Sequence, residues 1–327
     1  MLGALVAWPF LPQWPVLAVI LVAAVLAPTD AALGQAVVNS SIVPQRVRRA
    51  LTVESGLNDG LALPFILLFA SLVAAAAEQE LTNWIRFGAA QLVLGPLVGA
   101  IVGYGGGRIL VAQFARRWTG AAYEGVAALA LAAVAYLAAR FVGGNGFMAA
   151  FVAGLCFGQA IEHRCEFIYE FAESEGHLLS WAAFLLIGYA IVPAAVARLD
   201  APMLAIILLS LLVVRPLAIL VSLIGTDASI KTRLFIGWFG PRGLATALFA
   251  LLIVERLDPE LGEAVLALAG NAVWISALLH GMSAAPAARW YAMKVAAARD
   301  GPASETISDA TTPRPPQRGA ATNEAAP

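Results

Sequence analysis

Apolar stretches of membrane-crossing length recur about nine times along the chain. They fall near residues 16–39, 47–76, 84–110, 121–140, 144–160, 176–197, 201–224, 232–254 and 262–285. A helix rises about 1.5 Å per residue, so about 20 apolar residues cross a hydrocarbon core about 30 Å thick. Runs of Leu, Ala, Val and Ile predict helices, because backbone polar groups in lipid must be satisfied within the segment. The expected organisation is an all-α polytopic transmembrane domain over 1–285. From Pro286 the chain turns to Pro, Ala, Ser, Thr and scattered charge, which predicts a largely disordered cytoplasmic tail over 286–327, most clearly after Asp300. The opening run, Leu2 to Phe10, is apolar but too short to span. It has the form of the end of a helix whose beginning is absent, not of a signal peptide.

Three polar interruptions break this pattern. In the span at 47–76, Glu54, Ser55, Asn58 and Asp59 fall within an arc of about 140° on one helix face. Asp59 lies about 18 Å from the near end of that span, close to the midplane. A charge at that depth costs roughly 2.5–3.5 kcal/mol even on the mildest scale, so the position points to function. Binding and releasing a cation or a proton is the natural use, a buried structural ion pair the alternative. In the span at 16–39, Ala27-Pro28-Thr29-Asp30 interrupts the helix. Proline breaks the hydrogen-bond ladder. Thr29 offers a hydroxyl and a carbonyl to a cation, and Asp30 suits the positive end of a half-helix. A simple proline kink is the bland reading. In the span at 232–254, Gly237-Trp238-Phe239-Gly240-Pro241-Arg242-Gly243 is the third break. Arg242 cannot discharge, so it needs carbonyls or carboxylates and suits the negative end of a half-helix. Two interrupted helices, one early and one late, point to inverted repeats around a midplane site. Arg215, in the span at 201–224, also needs a partner, and Glu54 is the best candidate.

Composition agrees with the pattern. The chain of 327 residues is 61% hydrophobic and 13% charged, with mean hydropathy +0.81, against about 25% charged in soluble domains. The net charge of −1 gives nucleic acid no footing. Two cysteines, Cys156 and Cys165, suggest neither a disulfide framework nor a metal site. The acidic segment Glu162 to Glu175 reads as a solvated loop, with His163 and Cys165 as decoration. Arginine and lysine alternate between loops. One set holds Arg46, Arg48, Arg49, Arg108, Arg116, Arg117, Arg164, Lys231, Arg233 and the tail, and the other only Arg86, Arg140, Arg198 and Arg256. The richer side should be cytoplasmic, which puts the C-terminus inside. Abundant Ala and an excess of Arg over Lys fit a GC-rich bacterial genome, hence a bacterial inner membrane.

With these elements in view, the chain resembles the monovalent cation:proton antiporters of the sodium/proton exchanger family. Glu54-Ser55-Gly56-Leu57-Asn58-Asp59 looks like the family's ESxxND segment, and Pro28-Thr29-Asp30 like the TD motif of its first crossing helix. Gly240-Pro241-Arg242-Gly243 looks like the motif of its second crossing helix. The run from Phe147 to Leu155 also looks like a family helix. The resemblance covers about residues 1–285 and implies an inverted-repeat antiporter fold with two crossing discontinuous helices. It implies that Asp59 alternates between cation and proton, and that Thr29, Glu54 and Ser55 shape the ion site. Asn58 marks the usually electroneutral, one-for-one type. Glu54 with Arg215 would be a structural pair, with Asp30 and Arg242 compensating helix ends. The transported ion would be Na+ first, with K+ or Li+ open, and no cofactor is implied. Other implied partners are the lipid bilayer and, in the full-length protein, a second copy. Family members carry about three helices before the TD motif, of which only the end of the third is expected here. The first repeat is therefore expected to be incomplete, from a misassigned start, a fragment or a truncated paralogue.

Rival readings remain at this stage: a cation channel or symporter, and a non-transporting remnant. An intramembrane aspartyl protease using Asp30 and Asp59 is disfavoured, because Pro-Thr-Asp and Asn-Asp-Gly lack that class's usual motifs. The expectation is therefore a transporter, not an enzyme.

Overall fold

The computed structural model describes residues 1–74, 81–115, 121–161 and 166–299. These form α-helices with no strand among the described residues. In order they are α1 (Leu2–Ala7), α2 (Val16–Val25), α3 (Gln35–Val38), α4 (Gln45–Ala74), α5 (Leu81–Ala115), α6 (Ala121–Phe141) and α7 (Gly146–Ile161). Then come α8 (Glu166–Ala190), α9 (Val192–Ala197), α10 (Ala201–Leu209), α11 (Arg215–Ser222), α12 (Ile230–Trp238), α13 (Leu244–Val254) and α14 (Pro259–Arg299). A 3₁₀ turn (Trp8–Phe10) follows α1, and a π turn (Ser210–Val214) joins α10 to α11.

Among the described residues, four helices are by length and composition long and apolar enough to cross a membrane: Gln45–Ala74, Val93–Gln113, Ala201–Ser222 and Pro259–Lys294. Shorter apolar helices include Val16–Val25 and Leu244–Val254, members of the two broken spans. Each break has a local cause. Pro28 has no N–H and biases Ala27 away from the helical region, so α2 ends at Val25. Gly240 and Pro241 stop α12 in the same way.

Two expected boundaries move. The acidic segment is helical from Glu166 onward, not a loop. Its Glu, Phe and Ala residues meet no Gly or Pro until Gly176, and Glu is a good helix former. His163 and Cys165 lie outside the described residues. Pro286 does not end α14, which runs on to Arg299. The stretch after Pro286 is rich in Ala, the strongest helix former. Tyr291 also anchors it: its ring stacks on Phe235 at 4.2 Å and its hydroxyl lies 2.9 Å from Thr232 Oγ1. Residues 300–327, where disorder was expected, lie outside the described residues.

One apolar core joins α1, α2, α4, α10, α13 and α14 through side chains such as Leu21, Val22, Ile66, Ile207, Ile253 and Leu268. A second, around Val47, Phe235, Phe239 and Tyr291, ties α3, α4, α12 and α14. At the same end, Arg46 donates two hydrogen bonds to Asp227 (2.5 and 2.9 Å). Those bonds hold the Asp227 carboxyl below the usual carboxylate range.

The α5–α7 seam is of another kind. Gly95, Gly99, Gly103 and Gly107 recur every four residues on α5. A Cβ at Gly99 would sit 2.3 Å from Ala149 O, and one at Gly103 2.2 Å from Ala153 O. The two backbones touch, as small residues permit in membrane helices.

Candidate ion-binding site

The two broken helices meet at their breaks. Asp30 N–H donates to Pro241 O at 2.8 Å, joining one interruption directly to the other. Gly243, the N-cap of α13, supplies no side-chain cap. Asp30 supplies one from across the crossing, its Oδ2 accepting from Leu244 N at 3.0 Å and its Oδ1 from Ala32 N at 2.8 Å. A carboxylate at a helix N-terminus is favoured by the unsatisfied N–H groups there. Arg242 makes the reciprocal contact. Its Nη1 donates to Ala27 O (2.6 Å) and Pro28 O (3.2 Å), the carbonyls that follow α2. Its Nη2 donates to Ser210 Oγ at 3.2 Å, in the π turn, an irregularity often found at functional sites.

Beside the crossing, Arg215 and Glu54 form a bidentate pair between α11 and α4. Nη1 donates to Oε1 at 2.8 Å and Nη2 to Oε2 at 2.9 Å, with the arginine side chain 7% and the glutamate 26% exposed. The glycines of the second break make room for this arrangement. A Cβ on Gly240 would lie 1.6 Å from Arg215 Nε, and one on Gly243 2.0 Å from Asp30 Oδ2. A Cβ on Gly237 would lie 2.9 Å from Pro216 Cα.

The polar face of α4 turns toward Thr29. Asn58 Nδ2 donates to Thr29 Oγ1 at 2.8 Å, and Thr29 Oγ1 lies 3.3 Å from Ser55 Oγ. Thr29 is 1% and Ser55 8% exposed, so their hydroxyls meet away from bulk solvent, with Asn58 half-buried beside them. Asp59 follows on the same helix, half-buried. Its Oδ1 is buried and accepts no hydrogen bond from the described residues. The structure therefore brings Thr29, Ser55 and Asn58 into one hydrogen-bonded group with Asp59 next in the helix. Asp30, Glu54, Arg215 and Arg242 frame the crossing.

Sequence reasoning passed over three residues of this frame: Ser210, Ser276 and His280. Ser276 Oγ accepts from Arg242 N at 2.8 Å. His280, 2% exposed, places Nε2 2.9 Å from Trp238 O and Nδ1 3.1 Å from Ser276 Oγ. The available signal was their spacing: Ser276, His280 and Ser283 recur at i, i+4 and i+7, a polar stripe within an apolar span.

A helical membrane protein built on two crossing broken helices is the class that this fold defines. The family model for the transmembrane sodium/hydrogen exchanger matches residues 1–290, and the chain belongs to that family. It is therefore a multi-pass membrane protein of a cation:proton antiporter family, not an enzyme. It is 30% identical over 295 residues to the K(+)/H(+) antiporter NhaP of Alkalimonas amylolytica, covering 90% of this chain and 50% of that protein. It is 27% identical to the K(+)/H(+) antiporter NhaP2 of Shewanella sp. (strain ANA-3), covering 88% and 49%. The chain thus spans about half the length of these curated relatives. Its fold matches that of the sodium proton antiporter MjNhaP1 from Methanocaldococcus jannaschii with a TM-score of 0.68, 19% identity and coverage of 89% of this chain and 76% of that one.

Proposed function

We propose that this chain forms the ion-translocating part of an antiporter that exchanges a monovalent cation for protons, with Asp59 taking each in turn. One observation carries the reading. Of the three carboxylates around the crossing, Asp30 and Glu54 have both oxygens engaged, Asp30 by backbone N–H groups and Glu54 by Arg215. Asp59 keeps a buried oxygen without such a partner. A proton or a hard monovalent cation would satisfy that oxygen, and the two exclude one another. The hydroxyls of Thr29 and Ser55 supply further oxygen ligands of the kind such ions take, with Glu54 shaping the site behind them.

Asn58 is neutral, so a single free carboxylate balances a single positive charge, and the exchange is one-for-one and electroneutral. The two breaks form the crossing of an inverted-repeat fold, which exposes Asp59 to one side of the membrane at a time. By loop charge the C-terminus is cytoplasmic and the membrane is a bacterial inner membrane. The full-length protein works in the bilayer as a homodimer. Na+ is the first candidate ion. The names of the curated relatives bring K+ in equally.

The test is a pH-sensitive dye inside everted vesicles carrying the chain. Adding Na+ or K+ releases protons from wild type, and Asp59→Asn abolishes the response. Wild-type-like exchange in that variant overturns the assignment. Cation entry with no proton movement would mark a channel, and movement of both in one direction a symporter.

A further inference from the structure

His280 is a buried titratable group for which the exchange reaction above has no use. Its surroundings are nonetheless specific. Nδ1 lies 2.8 Å from Ser276 O, and Nε2 lies 2.9 Å from Trp238 O. Both are carbonyl oxygens, which only accept. The neutral ring carries one N–H, so it donates to one carbonyl and turns a lone pair toward the other. The protonated ring donates to both.

The neutral ring has one alternative, to accept from the Ser276 hydroxyl 3.1 Å from Nδ1. That same hydroxyl oxygen accepts from Arg242 N in the break. Ring protonation therefore decides how Ser276 is shared. Trp238 adds a stacked contact at 5.1 Å, and its indole N–H donates to Ser283 Oγ at 3.0 Å. The last turn of α12 and the start of its break are thus held to α14 through His280, Ser276 and Ser283. Among the described residues, the charged groups facing His280 are Arg242 in the break and Arg215 of α11, the latter paired with Glu54. On α12, Arg233 is directed to the Ala228 and Thr226 carbonyls at the other end.

We propose that His280 is a positioning residue for the exchange cycle: its protonated ring clamps the interrupted helix to α14, and its neutral ring releases it. The transport consequence rests on the antiport reading. Acid then slows turnover by a route distinct from proton competition at Asp59. Competition raises the cation KM and is overcome by more cation. The clamp lowers kcat and is not.

The experiment measures exchange against pH at saturating Na+ or K+, together with ring ¹⁵N chemical shifts of histidine-labelled protein. The chain has three histidines, so single substitutions of His163 and His177 assign the spectrum. Wild type is expected to lose kcat on the acid side as the His280 ring passes from one N–H to two. His280→Gln keeps a donor but cannot titrate. It should retain roughly fivefold more acid-side turnover, the shift that one hydrogen bond supplies. The acid-side rise in KM should remain. A His280→Gln profile that superimposes on wild type overturns the proposal. So does a ring that holds a single N–H from about pH 5 to pH 9, a result that needs no variant to fold. Absence of exchange in wild type would overturn the antiport reading instead, leaving the ring titration to decide the clamp.

Discussion

Glu54 and Asp59 sit five residues apart on α4 and meet different surroundings. Glu54 faces a guanidinium that takes both of its oxygens, and Asp59 keeps one buried oxygen without a donor among the described residues. Removing one member of a buried pair strands the other charge, which costs about 3–5 kcal/mol. Glu54→Ala should therefore lower the melting temperature in detergent markedly, while Asp59→Asn leaves it near wild type. Equal melting temperatures for Glu54→Ala and wild type would show that Arg215 finds another acceptor. The contact of Arg215 with Glu54 was legible because a permanent charge in an apolar span has few possible partners. The bond from Asn58 to Thr29 was not, since it depends on the distance and rotation between α2 and α4. Periodicity within one helix fixes neither. His280 escaped for a related reason. The stripe it shares with Ser276 and Ser283 marks a polar face, but a polar residue there can satisfy itself on the carbonyl four residues back, so the stripe does not disclose the contact with Trp238 O.

At the scale of elements, a run of Gly and Pro announces a break but not what the break accommodates. The glycines of the second interruption read as residues that loosen the helix. In the structure they are points of close approach, and Gly243 shows the difference best. Its φ of −139° is not left-handed, and the constraint that the structure shows is contact. An added methyl would overlap the carboxylate of Asp30. Asp30 would have to withdraw from Leu244 N, leaving the first turn of α13 uncapped within the crossing. Overpacking of this kind costs about 1–3 kcal/mol, and loss of a cap about 1 kcal/mol more. Gly243→Ala should therefore lower thermal stability and exchange together, with Gly243→Val worse. Unchanged stability in Gly243→Ala would mean that the crossing is looser than its hydrogen bonds indicate. The same limit explains α14 beyond Pro286. Composition marked a tail there, but the stacking of Tyr291 on Phe235 and a run of alanines continue the helix.

At the scale of the molecule, α7 mediates between two kinds of packing. On one side its backbone at Ala149 and Ala153 lies directly against the glycine stripe of α5. On the other it touches α4 through flexible apolar side chains. A Cβ on Gly56 would lie 2.7 Å from the ring of Phe151, and one on Gly60 3.4 Å from Met148. Phe147, one turn before Phe151, also reaches α13 through an edge contact with Phe249 at 5.8 Å. Close-packed backbones resist sliding, whereas a ring resting on a glycine can slip. Any rearrangement that changes access to Asp59 will therefore leave the α5–α7 seam intact and shift the α4–α7 contact. Gly56 and Gly60 flank Asp59 in the sequence, so that contact lies beside the proposed carrier. This makes a prediction for a pair of substitutions. Gly56→Ala should push on the Phe151 ring and slow exchange, while Phe151→Ala vacates the space and accepts the methyl. The double variant should then recover much of the lost rate, and the two effects should depart from additivity by about 1 kcal/mol, as contacting residues do. Strict additivity in exchange rate would show that the ring does not bear on the moving step. Recovery of stability without recovery of rate would confine the contact to packing.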